Sequence, residues 1–213
     1  MNSPNLKTHN LSKIIHLAKR DISIYIIMLL CILQFFVEYF TAIDTIRILL
    51  YPSSLLNLLD NFQYWRLITP VFIHFTLIHL LSNLFLFWYF AKSINAYSQT
   101  IFLLLFTLSA LLSNAAEFII VDERFGGISG VNFALFGFIF IYHQFKPQDQ
   151  LFINLEFSIM VFVYLLLTAT DWIGDYSFVS HLSGLLVGLV FGLIFAKRDK
   201  YLHKQTSPFG KGE

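Results

Sequence analysis

The chain has 213 residues, of which 57% are hydrophobic and 13% charged, with a mean hydropathy of +0.69 and a formal net charge of +1. That composition excludes an ordinary soluble globular domain, and the near-zero charge excludes a nucleic-acid partner. Apolar runs recur along the whole length and are continuous rather than alternating, which argues for a polytopic helical membrane protein and against a closed membrane barrel.

In chain order, the first run, 22–43, follows a basic stretch. It is about 22 residues long with no A-x-A-like site after it, so it reads as a spanning helix that stays rather than a signal peptide. It holds the sole cysteine, Cys31, which can form no intramolecular disulfide and reads as packing. Residues 44–70 make a long outer connection carrying Tyr51, Pro52, Trp65, Arg66 and Pro70. Its semi-apolar character suits the membrane interface. Further spans are expected at 71–91, 101–121, 129–143, 151–170 and 178–196. The resulting expectation is an all-α membrane protein of six helices in one domain, 22–196. A short cytoplasmic segment, 1–21, precedes it and a basic polar tail, 197–213, follows it. No internal repeat is evident, which weighs against a secondary transporter.

Lys and Arg set the orientation. With the N-terminus inside, the inner side holds Lys7, Lys13, Lys19, Arg20, Lys92, Lys146, Lys197, Arg198, Lys200, Lys204 and Lys211. Only Arg47, Arg66 and Arg124, of 14 basic residues, fall outside. The bias predicts both termini in the cytoplasm, with the basic tail near anionic lipid.

Helical rise places three polar groups in one layer. A helix advances about 1.5 Å per residue through a hydrocarbon core about 30 Å thick. Counted up from His143, Ser129 lies about 21 Å above the inner surface. Counted from Ala196, His181 lies about 23 Å up, and from Lys92, His79 lies about 20 Å up, with Asn83 one turn deeper. His79 and Asn83 are i and i+4, so they share a helix face. Polar side chains inside a membrane turn to the bundle interior or a water cavity. Each alone could simply tie helices together. Their common depth with Ser129 points to one site, and a serine beside a histidine is the pattern of nucleophilic hydrolysis.

Small residues give the two helices a reason to touch. His181, Gly184, Gly188 and Gly192 share one face, and Gly130, Ala134 and Gly137 make a matching stripe. Such stripes let backbones approach closely in lipid. The pair Gly126-Gly127 suits a tight turn before a helix that begins below the surface. That helix N-terminus aims unsatisfied N–H groups at Ser129, where an oxyanion would form. The serine motif by itself is weak, since Val131 follows Gly130 and the second glycine of G-x-S-x-G is missing. No H-E-x-x-H metal motif and no nucleotide fingerprint are present, so no metal is expected. Asp171 and Asp175 precede the last helix. A third triad member there is conceivable, but a solvated outer loop above the site is the favoured reading.

Taken together, Trp65-Arg66, His74, His79-Leu80-Leu81-Ser82-Asn83, Gly126-Gly127-Ile128-Ser129-Gly130 and His181-Leu182-Ser183-Gly184 with Gly188 resemble the motifs of the rhomboid intramembrane serine proteases of bacteria. The resemblance covers about 44–196. It implies a six-transmembrane-helix rhomboid-like bundle in the bacterial inner membrane. It implies Ser129 as nucleophile, His181 as general base in a dyad without an acid, and an oxyanion hole of His79, Asn83 and the Ser129 N–H. It implies supporting roles for Trp65, Arg66, His74, Gly127, Gly130, Phe133, Gly184 and Gly188, transmembrane protein substrates, a preference for small residues before the cut, and no cofactor. Some positions depart from the family pattern. Many relatives carry tyrosine where this chain has Phe133, and often a glutamate and a glycine where it has Asn95 and Gln99. The cytosolic domain of some relatives is not expected either, since about 21 residues precede the first helix.

The function expected is cleavage of transmembrane segments near their outer end, at stretches loosened by Gly, Pro or polar residues. One rival is a catalytically silent rhomboid-like protein that binds membrane helices. Another is a haem protein with His79 and His181 as axial ligands, since both lie at one depth.

Overall fold

The structure is a computed structural model that describes residues 20–41, 44–49, 61–121, 125–145, 151–170 and 177–206. Several residues used to set topology lie outside the described residues, among them Lys7, Lys13, Lys19, Tyr51, Pro52, Arg124, Lys146 and Lys211, as do Asp171 and Asp175.

All regular elements among the described residues are helical. Helix α1 spans Ile22–Phe40, the short α2 Thr45–Leu49, and two 3-10 turns Tyr64–Leu67 and Thr69–Phe72. Then follow α3 (Leu77–Tyr97), α4 (Gln99–Ile120), α5 (Ser129–Phe145), α6 (Leu155–Leu167) and α7 (Phe178–Thr206). By length and composition α1, α3, α4 and α7 can each cross a bilayer. Helices α5 and α6 are shorter, at 17 and 13 residues. The apolar face of α1, including Ile22, Ile26, Leu29 and Leu33, is exposed, as suits a surface meeting lipid tails.

Local chemistry explains the boundaries. Ser98 alone separates α3 from α4: it ends the first and caps the second, its hydroxyl accepting from Ile101 N–H. Asn154 caps α6 by accepting from Phe157 N–H at 3.0 Å. The second span differs from the expected 71–91 at both ends. Pro70 sits in the first turn of a 3-10 helix, and Thr76 then caps α3 by accepting from His79 N–H at 3.2 Å. The apolar residues Val71, Phe72 and Ile73 are therefore core, but not α-helix. At its C-terminal end α3 continues past Lys92 to Tyr97. There Asn95 is buried and donates to the Arg20 carbonyl and to Asp21 Oδ1, both at 2.9 Å. The Asn95 amide thus joins α3 to the start of α1.

The last span, expected to end at 196, runs on as α7 to Thr206, so the tail from Lys197 begins as helix. Asp199 holds this extension, accepting from Tyr97 and from Tyr142 (2.9 Å) while pairing with Arg198 at 2.7 Å.

Helix α5 is the centre of the molecule. Every residue from Gly130 to Ile139 is buried, with α3, α4 and α7 packed around it. Its seam with α7 is backbone against backbone. A Cβ added to Gly184 would strike the Gly130 carbonyl, one added to Gly188 would strike the Ala134 carbonyl, and one added to Gly137 would lie 2.8 Å from the Leu185 carbonyl oxygen. In lipid, such close packing is the main source of helix association.

Candidate active site

Three helix ends and one turn converge at one end of this seam. Gly127 has φ +115°, a conformation open to glycine, and its N–H donates to the Pro70 carbonyl at 3.0 Å. This bond pins the chain against the 3-10 turn and starts α5 at Ser129. The Ser129 N–H is therefore among those that a helix leaves without an intrahelical acceptor. Across the seam, His181 sits in the first turn of α7 and is 2% exposed. Its Nε2 lies 2.8 Å from Ser129 Oγ, within reach for proton transfer.

Packing fixes the imidazole. The Phe133 ring lies 4.8 Å from it, tilted by 32°, and Tyr164 of α6 stacks on Phe133 with ring centroids 6.1 Å apart. Phe133 thus supplies the ring face on which the imidazole rests. On the far side, Nδ1 lies 3.4 Å from the hydroxyl of Thr168, at the end of α6.

His79 and Asn83 face the same spot from α3. A Cβ placed on Gly127 would stand 2.8 Å from His79 Nε2 and 3.8 Å from Asn83 Nδ2. That glycine therefore keeps open the space beside Ser129 toward which both side chains point. Asn132, one turn below Ser129, donates to Asn83 Oδ1 at 2.9 Å and to the Asn83 carbonyl at 3.1 Å. With Oδ1 engaged, the Asn83 amide group is oriented with its N–H donors outward. His74 is buried behind His79, ring to ring at 5.0 Å, and its Nδ1–H donates to the Phe72 carbonyl at 3.1 Å. Ser129, His79, Asn83, Asn132 and Phe133 all line a cavity of about 380 Å³ that continues between α3 and α6 past Leu86, Phe90, Phe136, Met160 and Val161.

Trp65 and Arg66 stand apart from these groups, in the first 3-10 turn, with Trp65 half exposed. The turn is tied to the bundle by Asn114 of α4, which donates to the Leu67 carbonyl at 3.1 Å. Gly130 lies directly under Ser129, where a Cβ would crowd the hydroxyls of Ser113 and Ser180. Among the described residues no cluster of three or more His, Cys, Asp or Glu is placed to hold a metal ion.

Sequence reasoning missed Asn132, Thr168 and Glu117. Asn132 could have been found, since it lies three residues from Ser129 on the same face. Glu117 is the sole acidic residue of α4. It is buried, and its carboxylate accepts from the Ser180 N–H at 2.6 Å, one residue before His181. An ionisable residue within an apolar helix is itself a signal. Thr168 carried no such mark.

Comparison with known proteins places this geometry in a family. Residues 61–198 match the family model of the Rhomboid domain. Rhomboid protease GlpG of Salmonella newport (strain SL254) is 29% identical over 173 residues, which is 80% of this chain and 62% of that protein. Rhomboid protease GlpG of Salmonella paratyphi A (strain ATCC 9150 / SARB42) is 28% identical over the same length. The chain therefore spans 62% of the length of these relatives. With the family model covering well over half of it, the chain belongs to the rhomboid family, and its apolar helices make it an integral membrane protein.

Proposed function

We propose that this rhomboid is an intramembrane serine endopeptidase acting through a Ser129–His181 dyad. The observation that carries this reading is the 2.8 Å contact between His181 Nε2 and Ser129 Oγ at the edge of a cavity. Ser129 Oγ attacks the scissile carbonyl while its proton passes to His181 Nε2. The carbonyl oxygen becomes an oxyanion held by the Ser129 N–H, Asn83 Nδ2 and His79. His181 then gives its proton to the leaving amine, and a water repeats the sequence to release the acyl group. The buried, helix-lined setting suits a preorganised polar patch, because donors fixed in advance need no reorganisation as charge develops.

The same reading covers the topology. Six helices cross or enter the membrane, both termini face the cytoplasm, and the domain spans 22–196. The basic bias supports this orientation and residence in a bacterial inner membrane. Substrates are transmembrane segments cut near their outer end, where a loosened helix presents its carbonyls. The silent, helix-binding alternative is disfavoured by the intact hydroxyl–imidazole contact.

Ser129→Ala and His181→Ala should each abolish cleavage of a model transmembrane substrate while the protein still inserts and melts as the parent does. A serine-directed phosphonate should label the parent at Ser129 and neither variant. Full activity in folded Ser129→Ala would overturn the mechanism. A folded parent that neither cleaves nor labels would favour the helix-binding alternative.

A further inference from the structure

Among the described residues no carboxylate is bonded to the His181 ring, yet general-base catalysis needs the imidazole proton on Nδ1 so that the Nε2 lone pair meets the serine hydroxyl. The group that faces His181 Nδ1 is the hydroxyl of Thr168. Thr168 is 4% exposed, at the C-terminal end of α6. Its hydroxyl is 2.7 Å from the carbonyl oxygen of Leu165, a short bond in which only the hydroxyl can donate. A threonine hydroxyl has one hydrogen and two lone pairs. With that hydrogen committed to Leu165, the oxygen can only accept from the facing His181 Nδ1, at 3.4 Å.

We propose that Thr168 is the positioning residue that fixes His181 in the tautomer protonated at Nδ1. This inference rests on the reading of Ser129 and His181 as nucleophile and base. In the opposite tautomer, a lone pair on Nδ1 would face a lone pair on the threonine oxygen. Relieving that clash would require Thr168 to abandon the Leu165 carbonyl and leave a buried acceptor unpaired. A chain of assigned donors therefore runs from Ser129 O–H to His181 Nε2, and from His181 Nδ1–H to Thr168 Oγ1 and on to Leu165.

The contact is long in the resting enzyme, as catalytic hydrogen bonds often are before substrate binds. It strengthens when it matters. As the Ser129 proton arrives on Nε2, the ring becomes an imidazolium, and the Nδ1–H···Oγ1 bond becomes charge-assisted. No proton leaves Nδ1 at any stage, and the proton on Nε2 goes on to the leaving amine. A neutral hydroxyl thus orients the base without placing a carboxylate in a low-dielectric site. Because the gain is greater in the transition state than in the ground state, it acts on kcat rather than on KM.

The test uses the detergent-solubilised full chain labelled with 15N-histidine, with the His181 signals assigned by their loss in His181→Gln. The parent should show a protonated Nδ1 and an unprotonated Nε2. Thr168→Val, nearly equal in shape, should let an Nε2-protonated population appear and lower kcat roughly five- to tenfold with KM unchanged, the usual worth of one hydrogen bond. Thr168→Ser should restore both readouts. A parent protonated at Nε2 would overturn the proposal, even if Thr168→Val did not fold. So would a folded Thr168→Val with parental tautomer and kcat. If the parent cleaves nothing but its tautomer responds to Thr168→Val, the positioning role stands and the proteolytic reading falls.

Discussion

Helices α5 and α6 line the same cavity yet are held in opposite ways. In α5 the whole stretch Gly130–Ile139 is buried, and its carbonyls at Gly130 and Ala134 lie against glycine Cα positions of α7. In α6 only Ser158, Val161 and Leu165 are buried, while Ile159, Met160, Val163 and Leu166 are exposed. It rests on side chains: Phe162 against Phe136 and Phe140, Phe157 against Phe90, Tyr164 against Phe133. The proposed nucleophile and base both sit on the backbone-packed side. Reacting groups that must meet within a fraction of an ångström are best carried where no side chain can yield. The cavity wall opposite them reaches the base only toward its C-terminal end, through Tyr164 and Thr168, and the rest of α6 has no such demand.

The largest expected effect comes from forcing the rigid seam apart. Gly184→Val would drive a branched side chain into the Gly130 carbonyl, directly below Ser129. Overpacking a tight contact costs about 1–3 kcal/mol and sometimes more. A misplacement of about 1 Å can cost roughly a hundredfold in rate. The variant should melt lower and lose activity together, read by a melting curve and a parallel cleavage assay. A parental melt with parental turnover would show that the seam yields as readily as α6 does.

Asn83→Ala comes next, since it removes a donor without moving a backbone. Loss of one oxyanion donor typically lowers kcat by about 100- to 1000-fold. The Ser129 N–H and His79 would remain, so activity should fall without vanishing. KM should change little. A variant with unchanged kcat and a lower melting temperature would make Asn83 a helix tie, through its bonds with Asn132.

Glu117→Gln probes the α7 end of the same side with a smaller change. The amide oxygen can still accept from the Ser180 N–H, so that bond is kept without its charge assistance. Hydrogen bonds to charged groups exceed neutral ones by about 1 kcal/mol. A loss of stability of that order, read as a lower melting temperature, with a severalfold loss of kcat, is expected from thermal melts and initial rates. An unchanged melt would mean that the carboxylate does not hold the start of α7.

These contrasts also show what the sequence could reveal. The approach of Ser129 to His181 was legible because it follows from one-dimensional facts: small residues at spacings of three and four on two helices, and a common depth. That depth was counted from Lys92 and Ala196, yet α3 runs to Tyr97 and α7 to Thr206. The polar contacts of Asn95 and Asp199 carry those helices further than charge alone suggests. The start of α3 was misread at Val71–Ile73, since a buried 3-10 turn is as apolar as a helix. The signal that mattered was Pro70 followed by a capping Thr76. Thr168 was illegible for a different reason. Its partner is 13 positions away, and nothing in a lone threonine announces that its one hydrogen is already committed.

The smallest effect should come from thinning α6. Val161 is 8% exposed, belongs to the core and lines the cavity. In a soluble protein, trimming a buried side chain loses both transfer free energy and packing. In lipid the first loss nearly disappears, because the surroundings are as apolar as the side chain. What remains for Val161→Ala is the dispersion of two methyl groups, and neighbours on an exposed helix can relax around them. The expected loss is about 1 kcal/mol or less, seen as a small shift in the melt, with kcat unchanged because neither Ser129 nor His181 moves. The shape of the cavity does change, so any kinetic effect should appear in KM and vary with the side chains of the substrate. A drop in kcat as large as that of Asn83→Ala would mean that α6 positions the reacting groups as firmly as α5 does, and the contrast between the two walls of the cavity would be lost.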